Sequence, residues 1–139
     1  MVAVDRKFEL ELVSPERLVL SEPVDMAVIP GSEGDFGVLA GHSLLISTLR
    51  PGVIEVWQGE TVTERLFVGG GFVEVTETRC TVLADEAIPV AEIDVSAAQA
   101  DYDRLKAEFE AADEASKSAA ELRLAVAEAK LAATGRAVH

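Results

Sequence analysis

Hydrophobic and polar residues alternate in short runs along the first ninety residues of the chain. From Lys7 to Val13, the side chains of Phe8, Leu10 and Leu12 fall on one side and charged residues on the other. This period of two is typical of a strand with one buried face. Eight further short strands are predicted at residues 17–20, 24–29, 36–39, 43–49, 53–57, 61–68, 72–75 and 80–83. Short strands at this spacing, separated by turn residues, predict an antiparallel sandwich or barrel.

Three glycine-containing or turn-rich segments interrupt these runs. Residues 21–23 predict a break between strands, and residues 30–35, with the sequence PGSEGD, predict a loop. The loop has two compatible interpretations: a turn that needs positive φ, and an exposed acidic contact surface. It is not a phosphate-binding loop, because Gly-Lys-Ser/Thr is missing and strand-like sequence follows it. Glycines 69–71 predict a bulge or a close approach of backbone.

The hydrophobic period changes to that of a helix after Asp94. Ser96 and Gln99 fit a capping box, residues 112–118 predict a turn between two helices, and Gly135 is placed to end the second helix. A single continuous helix is the alternative. The two apolar stripes are predicted at Ala98, Tyr102, Leu105, Phe109 and Ala112, and at Leu122, Val126, Ala129 and Ala133. Two helices that bury so little apolar area between them would be only marginally stable alone, so we expect the hairpin to pack against the β unit or against another protein.

Proline and glycine are distributed in a way that divides the chain of 139 residues. All five prolines and nine of the ten glycines precede residue 90. Helix-breaking residues are therefore concentrated in the first part of the chain, whereas the second part contains only Gly135 near its end. The composition predicts two units, residues 1–88 and residues 89–139.

The net charge of −13 is carried mainly by the first 95 residues, which hold 17 acidic and six basic residues. A phosphate backbone and an anionic lipid surface would both be repelled, so nucleic-acid binding and direct docking on lipid are not expected. Cys80 is the only cysteine, which excludes an internal disulfide and favours a reducing compartment. The chain lacks a secretory signal and any apolar run long enough for insertion into a membrane, so we expect a soluble cytoplasmic protein.

Residues that carry out catalysis or bind metals are scarce. The chain has two histidines, His42 and His139, and no grouping of His and Cys with metal-ligand spacing. No Gly-x-Ser-x-Gly motif is present; a carboxylate pair is conceivable, but none stands out. We expect no catalytic residue and no metal site. His42 follows a glycine in a turn and predicts a local hydrogen bond or a partner contact, and Cys80 is expected to be buried and inert.

Four motifs in series resemble the epsilon subunit of bacterial F-type ATP synthase, whose mitochondrial counterpart is called delta. They are IPGSEGDFGVLAGH at 29–42, LRPG at 49–52, GGGFVEV at 69–75 and TVLADEA at 81–87. The resemblance covers residues 8–93 and the tail more loosely. It implies an N-terminal antiparallel β-sandwich of about ten strands, followed by a C-terminal antiparallel two-helix hairpin.

The resemblance also implies a non-catalytic role on the central rotor of the synthase. The chain would bind the gamma subunit and the c ring, and help to couple ring rotation to ATP synthesis. Its location would be peripheral, on the cytoplasmic face of the inner membrane. Asp35 matches an acidic residue near the polar loops of the c ring, and Glu33 and His42 are expected at the same end of the sandwich. An acidic contact there would complement basic loops.

Two further roles of the helical tail follow from the same resemblance. Some family members bind ATP at the hairpin; here Asp94 and Arg104 match, and Arg123 lies on the second helix without a clear positional match. Ala97 replaces an arginine that would donate to phosphate, so the sequence predicts no cofactor. In bacterial family members the tail can also extend and inhibit ATP hydrolysis, which would here involve contacts with the alpha and beta subunits. Arg123 and Lys130 are the candidates for that contact, although Glu121 and Glu128 are interleaved with them.

Two other classes of protein fit parts of the pattern. A non-enzymatic β-sandwich adaptor could dock its helical tail on a different partner. A ligand-binding module would need a pocket with aromatic walls, and the seven Phe, Tyr and Trp residues lie at core-like positions. Co-purification would distinguish the adaptor from the rotor subunit. The resting conformation of the hairpin is not set by the sequence.

Overall fold

The computed structural model describes residues 6–135 as a β-sandwich followed by two helices. The strands are β1 Phe8–Val13, β2 Leu18–Val24, β3 Met26–Gly31, β4 Gly34–Val38, β5 Leu45–Leu49, β6 Gly52–Gln58, β7 Thr61–Val68, β8 Gly71–Val75, β9 Arg79–Ala84 and β10 Ala87–Pro89. A 3₁₀ turn, Val90–Glu92, leads to the helices α1 Val95–Ala111 and α2 Lys117–Ala133. The ten strands and the helical hairpin confirm the predicted fold class.

The strands form one hydrogen-bonded sheet that folds over a common core. Their order is β10-β7-β6-β3-β5-β8-β9-β1-β2, and β4 pairs with β3. All pairs are antiparallel except β1 with β9, which are parallel. The predicted antiparallel pairing therefore holds for every strand pair except β1 with β9. Parallel neighbours need a long connection, and here the whole run from β2 to β8 lies between them.

The core of the sandwich is built from the alternating residues of these strands. Leu10, Leu12, Ile54 and Val73 are each at most 1% exposed, and they pack in a single cluster. Cys80 belongs to the same cluster. Burial raises the pKa of its thiol to about 12, so the thiol is not a nucleophile at neutral pH. The prediction of an inert cysteine is confirmed.

Two predicted breaks between strands are wrong or misplaced. β2 runs without interruption through residues 21–23, with Pro23 opposite Glu9, and the chain turns at Asp25 instead. Pro23 is tolerated because β2 lies at the end of the sheet and pairs on one side only. The predicted loop at 30–35 is shorter, because Gly31 pairs with Gly34 and leaves only Ser32 and Glu33 in the turn.

The tenth strand, β10, was absent from the predicted strands because three residues are too few to show a period. Its residues, Ala87–Pro89, pair with β7 and extend the sandwich one position past residue 88. The division into units 1–88 and 89–139 remains a prediction, and its residues 1–5 and 136–139 lie outside the described part of the chain.

The two helices are separated where the sequence predicts a turn. Asp113 accepts hydrogen bonds from the backbone N–H of Ser116 at 3.0 Å and from its hydroxyl at 2.8 Å. These bonds, led by the hydroxyl, lower the pKa of Asp113. A single continuous helix is therefore excluded. α2 ends at Ala133, and Gly135 follows with a φ of +84°, as expected for a helix end.

The start of α1 and one residue of the predicted stripe of α2 differ from the predictions. Asp94, rather than Ser96, caps α1, and its Oδ1 accepts from the N–H of Ala97 at 3.0 Å. Leu122 was expected in the buried stripe but is 70% exposed. The buried residues of α2 are Ala120, Ala127 and Leu131. The other three stripe residues, Val126, Ala129 and Ala133, are half-buried and pack against the cluster of Phe67, Tyr102 and Leu131, so the predicted stripe is wrong only at Leu122. Ala120 and Ala127 were not predicted because alanine carries a weak hydrophobic signal.

The hairpin packs on the outer face of the sheet. Phe67 of β7 forms a second apolar cluster with Ile93, Tyr102, Ala127 and Leu131. Phe67 and Leu131 are fully buried. The expectation that the hairpin leans on the β unit is confirmed.

Candidate functional site

The turn between β3 and β4 displays two acidic side chains to solvent. Glu33 occupies the turn itself, and Asp35 follows as the second residue of β4. Arg50 forms an ion pair with the carboxylate of Asp35, and its Nη1 donates to the carbonyl oxygen of Gly31 at 2.6 Å. The side chain of Asp35 is still 59% exposed. Arg50 therefore holds the acidic turn in place while leaving it accessible to a partner.

His42 does not share this surface, which corrects the prediction of a common end. β4 runs from Gly34 to Val38 and carries the chain about 10 Å from Asp35 to Val38, at 3.3 Å per residue. Beyond β4, the N–H of Gly41 donates to the carbonyl oxygen of Glu77 at 2.8 Å, in the turn between β8 and β9. The Nδ1 of His42 lies 2.7 Å from the carbonyl oxygen of Ser43. The local hydrogen bond predicted for His42 is thus present.

An open cleft of about 800 Å³ lies between the hairpin and the strands. Arg104 and Arg123 both line it, so the structure brings together two of the three residues predicted for a nucleotide. The third, Asp94, is at the helix cap and is not part of the lining. The other charged residues that line the cleft are Asp85, Glu86, Asp101 and Lys130.

The basic residues of the cleft are largely engaged with carboxylates. Arg104 contacts Glu108 at 2.9 Å and Asp101 at 3.5 Å, both on its own helix. Lys130 contacts Glu86 at 2.5 Å and ties α2 to the sandwich. Sequence reasoning missed Glu86, and also Arg50, because each pair joins segments whose proximity depends on the tertiary fold. The cleft therefore presents ion pairs rather than a concentration of positive charge.

The glycine segment brings the hairpin close to the strands. A Cβ placed on Gly69 would lie 3.1 Å from the Cβ of Glu86 and 3.3 Å from Cγ1 of Val126 on α2. A side chain at this position would push the helix outward. The close approach predicted from the glycine run is confirmed.

Two carboxylates lie close together, Glu22 on β2 and Glu64 on β7. Glu22 and Glu64 are both half-buried, and Gln58 donates to Glu22 at 3.2 Å. Burial, and then the neighbouring carboxylate of Glu22, raise the pKa of Glu64. The folded state therefore favours the protonated form of Glu64.

We expect Glu64→Gln to stabilise the protein at pH 7.5 by less than about 1 kcal/mol. A raised carboxyl pKa contributes stability that is present below the unfolded pKa and is lost as pH rises through the folded pKa. The neutral amide avoids this loss, so the gain should vanish near pH 4. Urea unfolding at both pH values measures it, and Glu60→Gln, at an exposed turn, should change little. A larger gain at pH 4 than at pH 7.5 would contradict this reading.

Residues 6–135 contain no group of three or more His, Cys, Asp or Glu side chains arranged to hold a metal ion. Within the same described residues, neither helix combines the length and the apolar character that crossing a membrane requires.

The fold and its surface define a β-sandwich protein with a docked helical hairpin, an exposed acidic turn between β3 and β4, and an open cleft lined by charged residues of both signs. The family model for the β-sandwich domain of the ATP synthase delta/epsilon chain matches residues 7–90. The chain belongs to the ATP synthase delta/epsilon chain family.

Curated relatives agree with this assignment. The ATP synthase epsilon chain of Rhodospirillum rubrum is 60% identical over 89 residues, covering 64% of this chain and 66% of the relative. The epsilon chain of Paramagnetospirillum magneticum is 58% identical over 87 residues, covering 63% and 65%. The matched region thus spans slightly less than two thirds of these relatives' own length.

Solved structures extend the similarity into the helices. A chain in the OSCP/F1/c-ring assembly of Euglena gracilis mitochondrial ATP synthase superposes with a TM-score of 0.77 and 31% identity, covering 91% of this chain and 81% of that chain. A chain in the central stalk/c-ring structure of Tetrahymena thermophila mitochondrial ATP synthase has a TM-score of 0.65 and 19% identity, covering 93% and 97%. The second match concerns the fold alone.

Proposed function

We propose that this chain is a rotor subunit in the central stalk of a proton-translocating F-type ATP synthase. It binds the gamma subunit and the c ring and helps to couple rotation of the ring to ATP synthesis. It performs no chemistry itself and is held at the cytoplasmic face of the inner membrane as a peripheral part of the complex. The family match over residues 7–90 carries this proposal. The assemblies that contain the structural relatives support it.

The acidic turn is the proposed contact with the c ring. Glu33 projects from the two-residue turn and Asp35 from the start of β4 beside it, and Arg50, just after β5, forms an ion pair with Asp35. A rigid display of charge limits the entropy lost on binding. Basic polar loops on the ring would complement it. His42 lies away from this turn, so it is not part of the proposed contact.

The hairpin has a regulatory role in the same proposal. In the docked state Lys130 is paired with Glu86, so it is not available to a catalytic subunit. An inhibitory contact through Arg123 and Lys130 therefore requires the hairpin to leave the sandwich. The area buried between the hairpin and the sandwich is small, so the docked and undocked states differ little in free energy. Contacts with a partner can therefore decide which state is populated.

Nucleotide binding is not part of the proposed function. Asp94 is committed to the helix cap and Ala97 supplies no side-chain donor. Arg104 is neutralised by Glu108. The adaptor alternative is not favoured, because the relatives are ATP synthase subunits.

Asp35→Arg tests the c-ring contact. It replaces an ion pair with two adjacent guanidinium groups facing the proposed basic loops. Like charges across an interface cost several kcal/mol, so we expect ATP-driven proton pumping by membranes carrying this variant to fall more than about threefold. Fluorescence quenching in inverted vesicles measures the pumping.

The matched control is Glu60→Arg, which makes the same charge change in the exposed turn between β6 and β7. That turn lies at the far end of β6 from Gly52, and a Cβ on Gly52 would lie 3.0 Å from the Cβ of Pro30, beside the acidic turn. We expect near wild-type pumping from the control. Wild-type pumping by Asp35→Arg would remove the proposed contact.

A further inference from the structure

The two carboxylates of the acidic turn differ in their surroundings, although both side chains are exposed. Asp35 forms an ion pair with Arg50, whereas none of the ion pairs formed among residues 6–135 involves Glu33. A cation that approaches Asp35 is attracted by the carboxylate and repelled by the guanidinium beside it, so the two contributions largely cancel. The negative charge that the turn presents to a partner is therefore carried mainly by Glu33.

Arg50 bonds to both ends of the acidic turn. Its Nη1 donates to the carbonyl oxygen of Gly31, at the end of β3, at 2.6 Å, and its Nη2 pairs with Asp35 on β4. Its backbone N–H donates to the carbonyl oxygen of Pro30 at 3.0 Å. The planar guanidinium makes the two side-chain bonds at once because its donors form a rigid fork, which the single ammonium of a lysine does not.

Further hydrogen bonds attach the turn to the end of β5. The N–H of Ser32 donates to the carbonyl oxygen of Thr48 at 3.0 Å, and the hydroxyl of Thr48 donates to the hydroxyl of Ser32 at 2.8 Å. The backbone of the turn is also closely packed, because a Cβ on Gly31 would lie 2.8 Å from the carbonyl oxygen of Gly34. Glu33 is thus displayed from a backbone that is fixed on both sides of it.

We propose that Glu33 is the residue of the acidic turn that recognises the c ring, and that Asp35 and Arg50 position it. This inference rests on the proposed rotor function and divides the roles of the two carboxylates in the proposed contact. Asp35 acts within the chain, as the anion that fixes the side chain of Arg50, and Arg50 is a positioning residue. A basic group of the ring meets Glu33 without displacing an internal cation, whereas Arg50, 43% exposed, repels a basic group that approaches Asp35.

Two neutral substitutions distinguish the roles of the carboxylates. Glu33→Gln and Asp35→Asn each remove one negative charge from the same turn, so they change the long-range field by similar amounts. In Asp35→Asn the side-chain carbonyl still accepts a hydrogen bond from the guanidinium of Arg50. We expect Glu33→Gln to weaken binding to the c ring by more than about threefold. Asp35→Asn should stay within about twofold of the wild type, because the turn remains held.

The measurement uses purified F1 that carries the full chain, titrated onto an isolated c ring immobilised in detergent. Biolayer interferometry gives the dissociation constant, and F1 prepared without the chain gives the binding that the other subunits supply. Glu60→Gln removes the same charge from the exposed turn between β6 and β7 and is the matched control. It should stay within about twofold of the wild type. Thermal unfolding of each purified variant confirms that the variant is folded.

Arg50→Lys tests the positioning role, because it keeps the charge and removes the fork that bonds to Gly31 and Asp35. We expect it to weaken binding by more than about twofold while the dependence of the dissociation constant on KCl concentration stays that of the wild type. Glu33→Gln should instead reduce the salt dependence, because it removes a charge from the interface. Arg65→Lys, at an exposed position of β7, is the matched control and should bind like the wild type.

The outcomes separate this inference from the proposed function. If F1 with the wild-type chain binds the ring no better than F1 without the chain, the proposed c-ring contact is wrong, and this inference with it. If the wild-type chain strengthens binding but Asp35→Asn weakens it as much as Glu33→Gln does, the contact stands and the division of roles is overturned. Wild-type binding by Glu33→Gln overturns it as well. Equal or tighter binding by Arg50→Lys removes the positioning role of Arg50.

Discussion

Replacing Gly71 by alanine should lower the free energy of unfolding by more than about 3 kcal/mol. Gly71 has a φ of +130°, and a Cβ there would lie 2.1 Å from the carbonyl oxygen of Leu83. The clash is with backbone, so no side-chain rotation relieves it. Gly71 is also paired on both sides, with Leu49 and Ala84, which prevents the strand from shifting. Urea unfolding of the two proteins measures the loss.

The matched control is Gly59→Ala in the turn between β6 and β7. Gly59 also has a positive φ, +64°, but a Cβ would meet no atom within 4 Å. We expect a loss of about 1 kcal/mol from the left-handed conformation alone. The difference between the two variants isolates the backbone clash. Equal losses in both would show that the approach of β8 to β9 is not as close as described.

Replacing Leu131 by alanine should release the helical hairpin from the sandwich. Leu131 is 0% exposed and packs in the cluster that joins the hairpin to Phe67. Truncating a fully buried leucine costs about 2–5 kcal/mol. The contact between the hairpin and the sandwich depends on few large side chains. The lost free energy should therefore weaken docking of the hairpin and leave the stability of the sandwich nearly unchanged. Hydrogen exchange should accelerate in α1 and α2, whereas β8 and β9 should stay protected.

Leu122→Ala is the control for this change. The same leucine-to-alanine truncation at a side chain that is 70% exposed should change stability by less than about 0.5 kcal/mol. It should leave exchange in both helices unchanged. If Leu131→Ala left the helices equally protected, the hairpin would not depend on the docking cluster. If β8 and β9 lost protection together with the helices, the two parts would unfold as one unit.

The sequence predicts the strands well where alternation is strong and fails where an element depends on its neighbours. β1 was predicted almost to its ends because Phe8, Leu10 and Leu12 point into one core. The break at Pro23 was wrong because its consequence depends on whether the strand lies at an edge, which follows from the sheet order. The parallel pairing of β1 with β9 likewise follows from the path of the whole sheet.

The helices illustrate a different limit. Hydrophobic periodicity identified α1 correctly through Ala98 and Tyr102, which are buried. In α2 it placed Val126, Ala129 and Ala133 correctly against the sandwich. It wrongly included the exposed Leu122 and missed the buried Ala120 and Ala127, whose hydrophobic signal is weaker. Close helix packing is built on alanines here, and a hydrophobic scale gives them little weight.

The candidate site was accessible from sequence only in part. The motif around Glu33 and Asp35 indicated an exposed acidic turn, and the structure has one. The ion pair between Arg50 and Asp35 depends on which strand ends meet in the folded sheet, and so does the position of His42 away from them. The spacing of residues along the sequence does not predict either. The predicted roles of Arg104, Arg123 and Lys130 remain predictions.

The central claim is that this chain is a stoichiometric subunit of the synthase rotor. Its most direct test is to affinity-tag the chain at its native level, purify it from membranes in mild detergent, and quantify the associated proteins by mass spectrometry. We expect alpha, beta, gamma and c subunits, with one copy of this chain for each gamma. Isolation of intact, proton-pumping synthase that lacks the chain, with the tagged protein recovered in a different complex, would contradict the account.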